Sequence, residues 1–150
     1  YNAKKILYVN AYWNHYLFNP NSISKRGSEQ NAKCITDCIK VMEEDIHNYP
    51  EKNSFTKALY QRTVYAIIAT ALSTYFHVSL KENIFTKTRK FANYLNSYFF
   101  YKEAIYKCSL SGMDKQRKVV VWMLRCKCYF FLQIVSSLKA YYLKKGKFDY

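Results

Sequence analysis

Between Glu29 and Tyr49 the apolar residues Ile35, Ile39, Met42, Ile46 and Tyr49 recur at spacings of four, three, four and three. That is a narrow stripe along one side of an amphipathic helix. Ser28 or Glu29 opens it and Pro50 stops it, because proline cannot supply the next helical N–H. A second helix is predicted from Ser54, a suitable N-cap, to about Val78, with Leu59, Ile67, Ile68, Ala71, Leu72, Tyr75 and Phe76 apolar. Its middle, Val64 to Leu72, is apolar almost all round, which marks it as the central helix. Residues 83 to 110 keep helical register through Ile84, Phe91, Leu95 and Tyr98, then Tyr101, Ile105 and Cys108, with a break near Ser97 and a stop at Ser111-Gly112. The last helix is expected to start at Asp114, whose carboxylate suits an N-terminus, and to run to Lys145 before Gly146 ends it.

The beginning of the chain reads differently. Ala3 to Phe18 (AKKILYVNAYWNHYLF) is rich in β-branched and aromatic residues and is apolar on both parities, the pattern of one or two strands covered on both faces. No other segment offers such a strand a partner, so its ladder needs residues from outside this sequence. Asn19-Pro20-Asn21-Ser22 is a turn by composition, and Ser24 to Ser28 continues as a polar connector. The fold class expected is therefore mainly α: a bundle of four to five helices preceded by one or two strands that complete an upstream α/β sheet. Residues 1–27 belong to the sheet and its loop, and residues 28–150 to the helical domain. The start at Tyr1, with no cationic leader and apolar signal core behind it, reads as a cut inside a longer protein.

Composition supports helices and removes several alternatives. In 150 residues there are 3 Gly and 2 Pro with 50% hydrophobic content, too few turn formers for a hairpin-rich β fold and too much apolar content for disorder. An average chain of this length carries about ten Gly, so the Gly-rich phosphate loops of nucleotide-binding domains are absent. The charge is unevenly placed. Residues 1–51 balance six cations with six acids, and residues 52–150 hold 18 cations against Glu82, Glu103, Asp114 and Asp149, which is the whole excess of +14. An anionic partner for the helical part, phospholipid headgroups or nucleic acid, follows from this asymmetry.

Val119 to Leu138 (VVVWMLRCKCYFFLQIVSSL) has the 20 residues needed to span a bilayer core. Arg125 and Lys127 sit at its centre, each costing about 2.5 to 3.5 kcal/mol on insertion scales, and on a continuous helix they point to opposite sides. A span is thus disfavoured. A closing helix of the bundle or an interfacial helix remains, with Lys115, Arg117 and Lys118 before the run, Lys139, Lys144, Lys145 and Lys147 after it, and Trp122, Tyr129, Phe130, Phe131, Tyr141 and Tyr142 interleaved. Rings buried at the interface and cations reaching headgroups are the chemistry of such a segment. The candidate anion-binding set is Lys115, Arg117, Lys118, Arg125, Lys127, Lys139, Lys144 and Lys145.

Catalytic chemistry is thin. Cys34 and Cys38 share a helix face at i, i+4, but no further ligands stand near enough to complete a zinc site. The five cysteines, odd in number and lying in apolar periodic segments, are expected to be reduced core thiols. His15, His47 and His77 are scattered, and the run Glu43-Glu44-Asp45 reads as a largely solvated helix face. No nucleophile, base and orienting acid stand at a recognisable spacing, and no helix-turn-helix, RRM or zinc-finger pattern occurs.

Within Ala3 to Ser24 the sequence AKKILYVNAYWNHYLFNPNSIS resembles the end of the catalytic domain in bacterial family 2 glycosyltransferases of the GT-A type. There a strand ending in a Tyr-x-Tyr-Arg-like element runs into a loop of the form Asn-Pro-x-Ser-Ile-Ser, followed by a helical extension. Tyr16 matches the second Tyr, and Asn19-Pro20-Asn21-Ser22-Ile23-Ser24 matches the loop; Asn14 and Leu17 stand where Tyr and Arg are common. The resemblance implies a substrate-proximal loop at His15, Tyr16, Asn19 and Ser22. It also implies a full-length enzyme that uses a nucleotide-diphosphate sugar and a divalent cation, Mg or Mn, with all catalytic residues upstream of this piece. The partners implied are an upstream catalytic domain in the same chain and an anionic membrane surface or lipid-linked acceptor in glycan synthesis. The implied location is cytoplasmic and peripheral, at the inner face of the cell membrane. The alternative is a freestanding basic helical module that binds nucleic acid.

Overall fold

The computed structural model describes residues 28–46 and 48–144, with side chains through Tyr142. The expected strands, the sheet they would complete and the loop at His15, Tyr16, Asn19 and Ser22 lie outside the described residues, as do His47, Lys145 and the side chain of Lys144. Among the described residues the architecture is helical throughout, with six α-helices: α1 Glu29–Ile46, α2 Lys52–Thr70, α3 Ile84–Asn96, α4 Phe99–Lys107, α5 Lys115–Arg125 and α6 Leu132–Lys144.

Local chemistry sets most of these boundaries. The Ser28 hydroxyl accepts the Asn31 N–H at 3.1 Å and starts α1, the Asn83 side chain accepts that of Phe85 at 3.1 Å at the start of α3, and Asp114 accepts that of Arg117 at 2.8 Å at the start of α5. Each satisfies an N–H that the helix leaves unpaired. Ser54 does not cap α2: the helix begins two residues earlier at Lys52, with Glu51 in the cap position and the Glu51 carbonyl accepting from Ser54 N. The first helix stops at Ile46, short of Tyr49, in keeping with the restriction that Pro50 places on the residue before it. The break near Ser97 is present, and it separates α3 from α4. Gly112, with φ +77°, belongs to a separate turn after α4 has ended at Lys107.

Helix α2 packs against both α1 and α4 and is the hub of the bundle. It passes into a π-helical turn, Ala71–Tyr75, where the Phe76 N–H reaches back five residues to the Ala71 carbonyl at 2.8 Å. The wider turn brings Thr74, Tyr75 and Phe76 into the core in succession. The aromatic interior is built there: Phe76 and Tyr75 meet Phe91, Tyr75 meets Tyr94, and Tyr94 meets Tyr101 at a centroid distance of 5.0 Å.

The long last helix is corrected by the structure. Asp114 to Lys145 as one helix would be about 46 Å long at 1.5 Å per residue, outrunning companions of 9 to 19 residues. Instead α5 ends at Arg125 and the chain re-enters through a 3-10 turn, Tyr129–Phe131, into α6, so that Val120, Val121, Leu124 and Leu132 are all buried. The ending has the hydrogen bonds of a Schellman cap: Cys128 N–H to Met123 carbonyl at 2.9 Å and Lys127 N–H to Leu124 carbonyl at 3.2 Å. Lys127 occupies the left-handed position, φ +58°, that glycine usually fills. No helix among the described residues is long and apolar enough to cross a membrane.

The cysteine expectation is also corrected. No described cysteine is in a disulfide, but only Cys108 is buried, while Cys34, Cys38 and Cys126 are exposed. They sit beside their apolar stripes, where a small thiol tolerates solvent as readily as packing.

Candidate functional site

Helix α5 divides cleanly by face. Val120, Val121 and Leu124 are buried, while Lys115, Lys118, Val119, Trp122 and Cys126 are exposed at helical spacing. Trp122 is 62% exposed. Three cations, Lys115, Arg117 and Lys118, occupy the first turn, where the positive end of the helix dipole makes cations unfavourable by roughly 0.3 to 1 kcal/mol each. Asp114 offsets part of this with an ion pair to Arg117 at 3.2 Å, and the Arg117 guanidinium also lies 4.9 Å from the Tyr65 ring centroid. Lys115 and Lys118 have no acidic partner among the described residues. Their placement does nothing for the helix, so helix stability does not account for it.

On α6, Leu132 and Ser136 are the inward positions, and the opposite side is an apolar ridge. Phe130 and Phe131 precede it, stacked at 4.0 Å between centroids. Ile134 (54% exposed), Leu138 (51%), Tyr141 and Tyr142 continue it at helical spacing, with Lys139 exposed beside them. Scattered apolar residues on a surface need no explanation, but a continuous row does. The inner side of α6 is held by Lys87 of α3, buried to 5% exposure, whose Nζ donates to Gln133 Oε1 at 2.9 Å.

Arg125 and Lys127, expected on opposite sides of one continuous helix, instead fall at its break, Arg125 as the last residue of α5 and Lys127 beyond it. Arg125 turns inward: its Nε donates to the Ile105 carbonyl at 2.9 Å, and its Nη2 to the carbonyls of Tyr106 at 3.2 Å and Cys108 at 2.9 Å. The guanidinium thereby closes the C-terminal end of α4, where carbonyls lack intrahelical partners. Two of the three guanidinium nitrogens are thus committed to backbone carbonyls, a structural role that the sequence reading of Arg125 as an anion-binding residue did not include. Burial pushes the neighbouring Cys108 thiol above its ordinary value, with Arg125 opposing. Lys127 stays exposed and lines a cleft of about 220 Å³ with Lys102, Asn96, Tyr106 and Tyr129 over the buried side chains of Leu95, Ile105 and Leu124.

A second cleft, about 460 Å³, opens between α1 and α3 and includes Lys33, Lys40, Lys90, Asp37 and Tyr94. Its charges are largely answered internally, Lys40 by Asp37 at 3.9 Å and Lys90 by Glu82 at 2.6 Å. Below it runs a buried chain of hydroxyls: Tyr94 donates to Tyr101 at 2.9 Å, Tyr101 to Thr36 at 2.7 Å, and Thr36 to the Ala32 carbonyl at 2.9 Å. The last link fixes the direction of the others, because Thr36 has one hydroxyl proton. In the acidic run Glu43-Glu44-Asp45, Glu43 accepts from the Tyr98 hydroxyl, while Glu44 and Asp45 face solvent.

Among the described residues no three His, Cys, Asp or Glu side chains come together as a metal site. Comparison with family models, curated proteins and solved structures finds no match. The site therefore rests on its own geometry: a basic first turn on α5, exposed Trp122, and the apolar ridge of α6.

Proposed function

We propose that this chain is the C-terminal helical region of a family 2 glycosyltransferase and that its α5 and α6 faces associate with an anionic membrane surface. The family part rests on the 22-residue likeness at Ala3 to Ser24, and with it come the nucleotide-diphosphate sugar, the divalent cation and a catalytic domain upstream. The location that goes with it is peripheral, at the cytoplasmic face of the cell membrane, where a lipid-linked acceptor is presented. The membrane part rests on one observation: large apolar side chains stay exposed in a row on α6, and on α5 they sit next to cations placed against the helix dipole. An interfacial surface has that make-up, with rings and aliphatics in the acyl boundary and lysines among phosphates, each cation near an anionic leaflet contributing about 1 kcal/mol.

Nucleic-acid binding uses cations and exposed rings too. Val119, Ile134 and Leu138 have no task in phosphate contact or base stacking, which favours lipid.

The two parts are tested separately. Family membership requires an Asp-x-Asp-bearing α/β domain in the coding sequence before Tyr1, and a different domain there would refute it. For the membrane part, the chain is expected to co-sediment with phosphatidylglycerol vesicles and not with neutral phosphatidylcholine vesicles, and increasingly weakly as salt rises. Replacement of Lys115, Arg117 and Lys118 by Glu should abolish sedimentation; retention of it would remove that cluster from the surface.

A further inference from the structure

The cleft at the α5–α6 break carries a more specific chemistry than the open faces around it. Its rim holds two lysines, Lys102 of α4 and Lys127 of the break, and no acidic residue lines it. Neither lysine is ion-paired among the described residues. The acid nearest in sequence to Lys102, Glu103, is engaged elsewhere, accepting from Tyr60 at 2.7 Å and from Lys107 at 2.7 Å. The C-terminal end of α4 would ordinarily present negative carbonyls here. Arg125 occupies those of Ile105 and Tyr106, so the local backbone is neutralised. Asn96 adds an amide donor at the rim.

Size and floor narrow the ligand. At about 220 Å³ the cleft lies below the roughly 300 to 1,000 Å³ of sites that enclose drug-sized ligands, so a nucleotide sugar does not fit inside it. The floor is apolar, from Leu95, Ile105 and Leu124, and Tyr106 and Tyr129 supply aromatic surface. Tyr106 is fixed by donating its hydroxyl proton to the Arg125 carbonyl at 3.1 Å. Lys127 holds a left-handed backbone conformation that is unfavourable for any residue but glycine. A lysine there gains nothing for the cap that glycine would not give more cheaply.

We propose that this cleft is a phosphate-binding pocket, in which Lys102, Lys127 and Asn96 hold the phosphate of a small phosphate ester and the apolar floor takes the carbon atoms next to it. The ligand is either a phospholipid headgroup or a free small phosphate, and the chemistry of recognition is the same. The pocket does not depend on the glycosyltransferase reading or on vesicle binding.

The test is a titration followed by amide NMR of the full 150-residue chain, with two probes: inorganic phosphate, and monomeric dihexanoyl phosphatidylglycerol. The amides of Asn96, Lys102, Tyr106 and Lys127 should move with at least one probe, and the tighter of the two identifies the source. Lys102→Gln and Lys127→Gly should each weaken binding by about tenfold, the loss of one charge-assisted hydrogen bond. Lys57→Gln, on exposed α2 surface, should leave it unchanged. Lys127→Gly keeps the cap conformation and should unfold no earlier than the parent chain, so its loss of binding does not come from loss of fold. Absence of shifts at these amides with both probes overturns the proposal, as does undiminished binding by Lys102→Gln and Lys127→Gly.

Discussion

Tyr101 is fully buried and stands in the middle of a directed chain of hydroxyls, accepting from Tyr94 and donating to Thr36. Removing its oxygen in Tyr101→Phe leaves the Tyr94 donor without an acceptor in a nearly dry site, so thermal or urea unfolding should show a loss of about 1 to 3 kcal/mol. The opposite sign is expected at Thr63, whose buried hydroxyl finds no partner among the described residues. Thr63→Val exchanges that oxygen for a methyl of similar size and should raise stability by about 1 kcal/mol. At Glu103, hydrogen bonds from Lys107 first and Tyr60 next hold the carboxyl below its ordinary value of 4.5. A carboxyl depressed in the folded state stabilises it above that ordinary value, and the contribution disappears as pH falls through the lower, folded value. Unfolding midpoints of the parent and Glu103→Gln should therefore differ at neutral pH and converge in acid. The Glu103–Lys107 pair has ordinary i, i+4 helical spacing, but the contacts of Tyr60 with Glu103 and of Thr36 with Tyr101 were not legible in the sequence, because side-chain partners 43 and 65 residues apart are set by helix packing and not by spacing.

At the scale of elements, the helices followed from periodicity and the caps at Ser28 and Asp114 from residue type, while the break in the last helix did not. Cys126-Lys127-Cys128 contains no glycine or proline to announce a Schellman ending, and a run of apolar residues looks alike whether it forms one helix or two. Tertiary packing decided it: α5 lies against α4 and α6 against the π-helical turn after α2, with Leu124 and Leu132 both buried. Arg125 takes its role from the same event. Arg125→Met keeps much of the packing volume but frees two α4 carbonyls and that of the C-cap residue Cys108, and it should destabilise the protein by about 1 to 3 kcal/mol by chemical denaturation. Ile134→Asn and Leu138→Asn, by contrast, change exposed ridge positions. They should leave the unfolding midpoint within about 0.5 kcal/mol of the parent while weakening vesicle sedimentation.

For the molecule as a whole, the proposed membrane surface draws on the excess charge and the ridge together, and the sequence carried the first more plainly than the second. The +14 excess could be counted and assigned to residues 52–150. Which aromatics face outward could not, because core and surface rings share the same helical stripes: Phe91 and Tyr101 are buried, and Trp122 and Phe130 are not. The central claim is that this outward apolar face enters an anionic bilayer while its cations remain among the headgroups. It is tested most directly by Trp122 fluorescence in a Trp13→Phe chain, using phosphatidylglycerol vesicles whose acyl chains are brominated close to the headgroup. Strong quenching of Trp122, lost in neutral vesicles and after charge reversal at Lys115, Arg117 and Lys118, is the predicted result. Vesicle-bound protein whose Trp122 emission is untouched by bromine would contradict it.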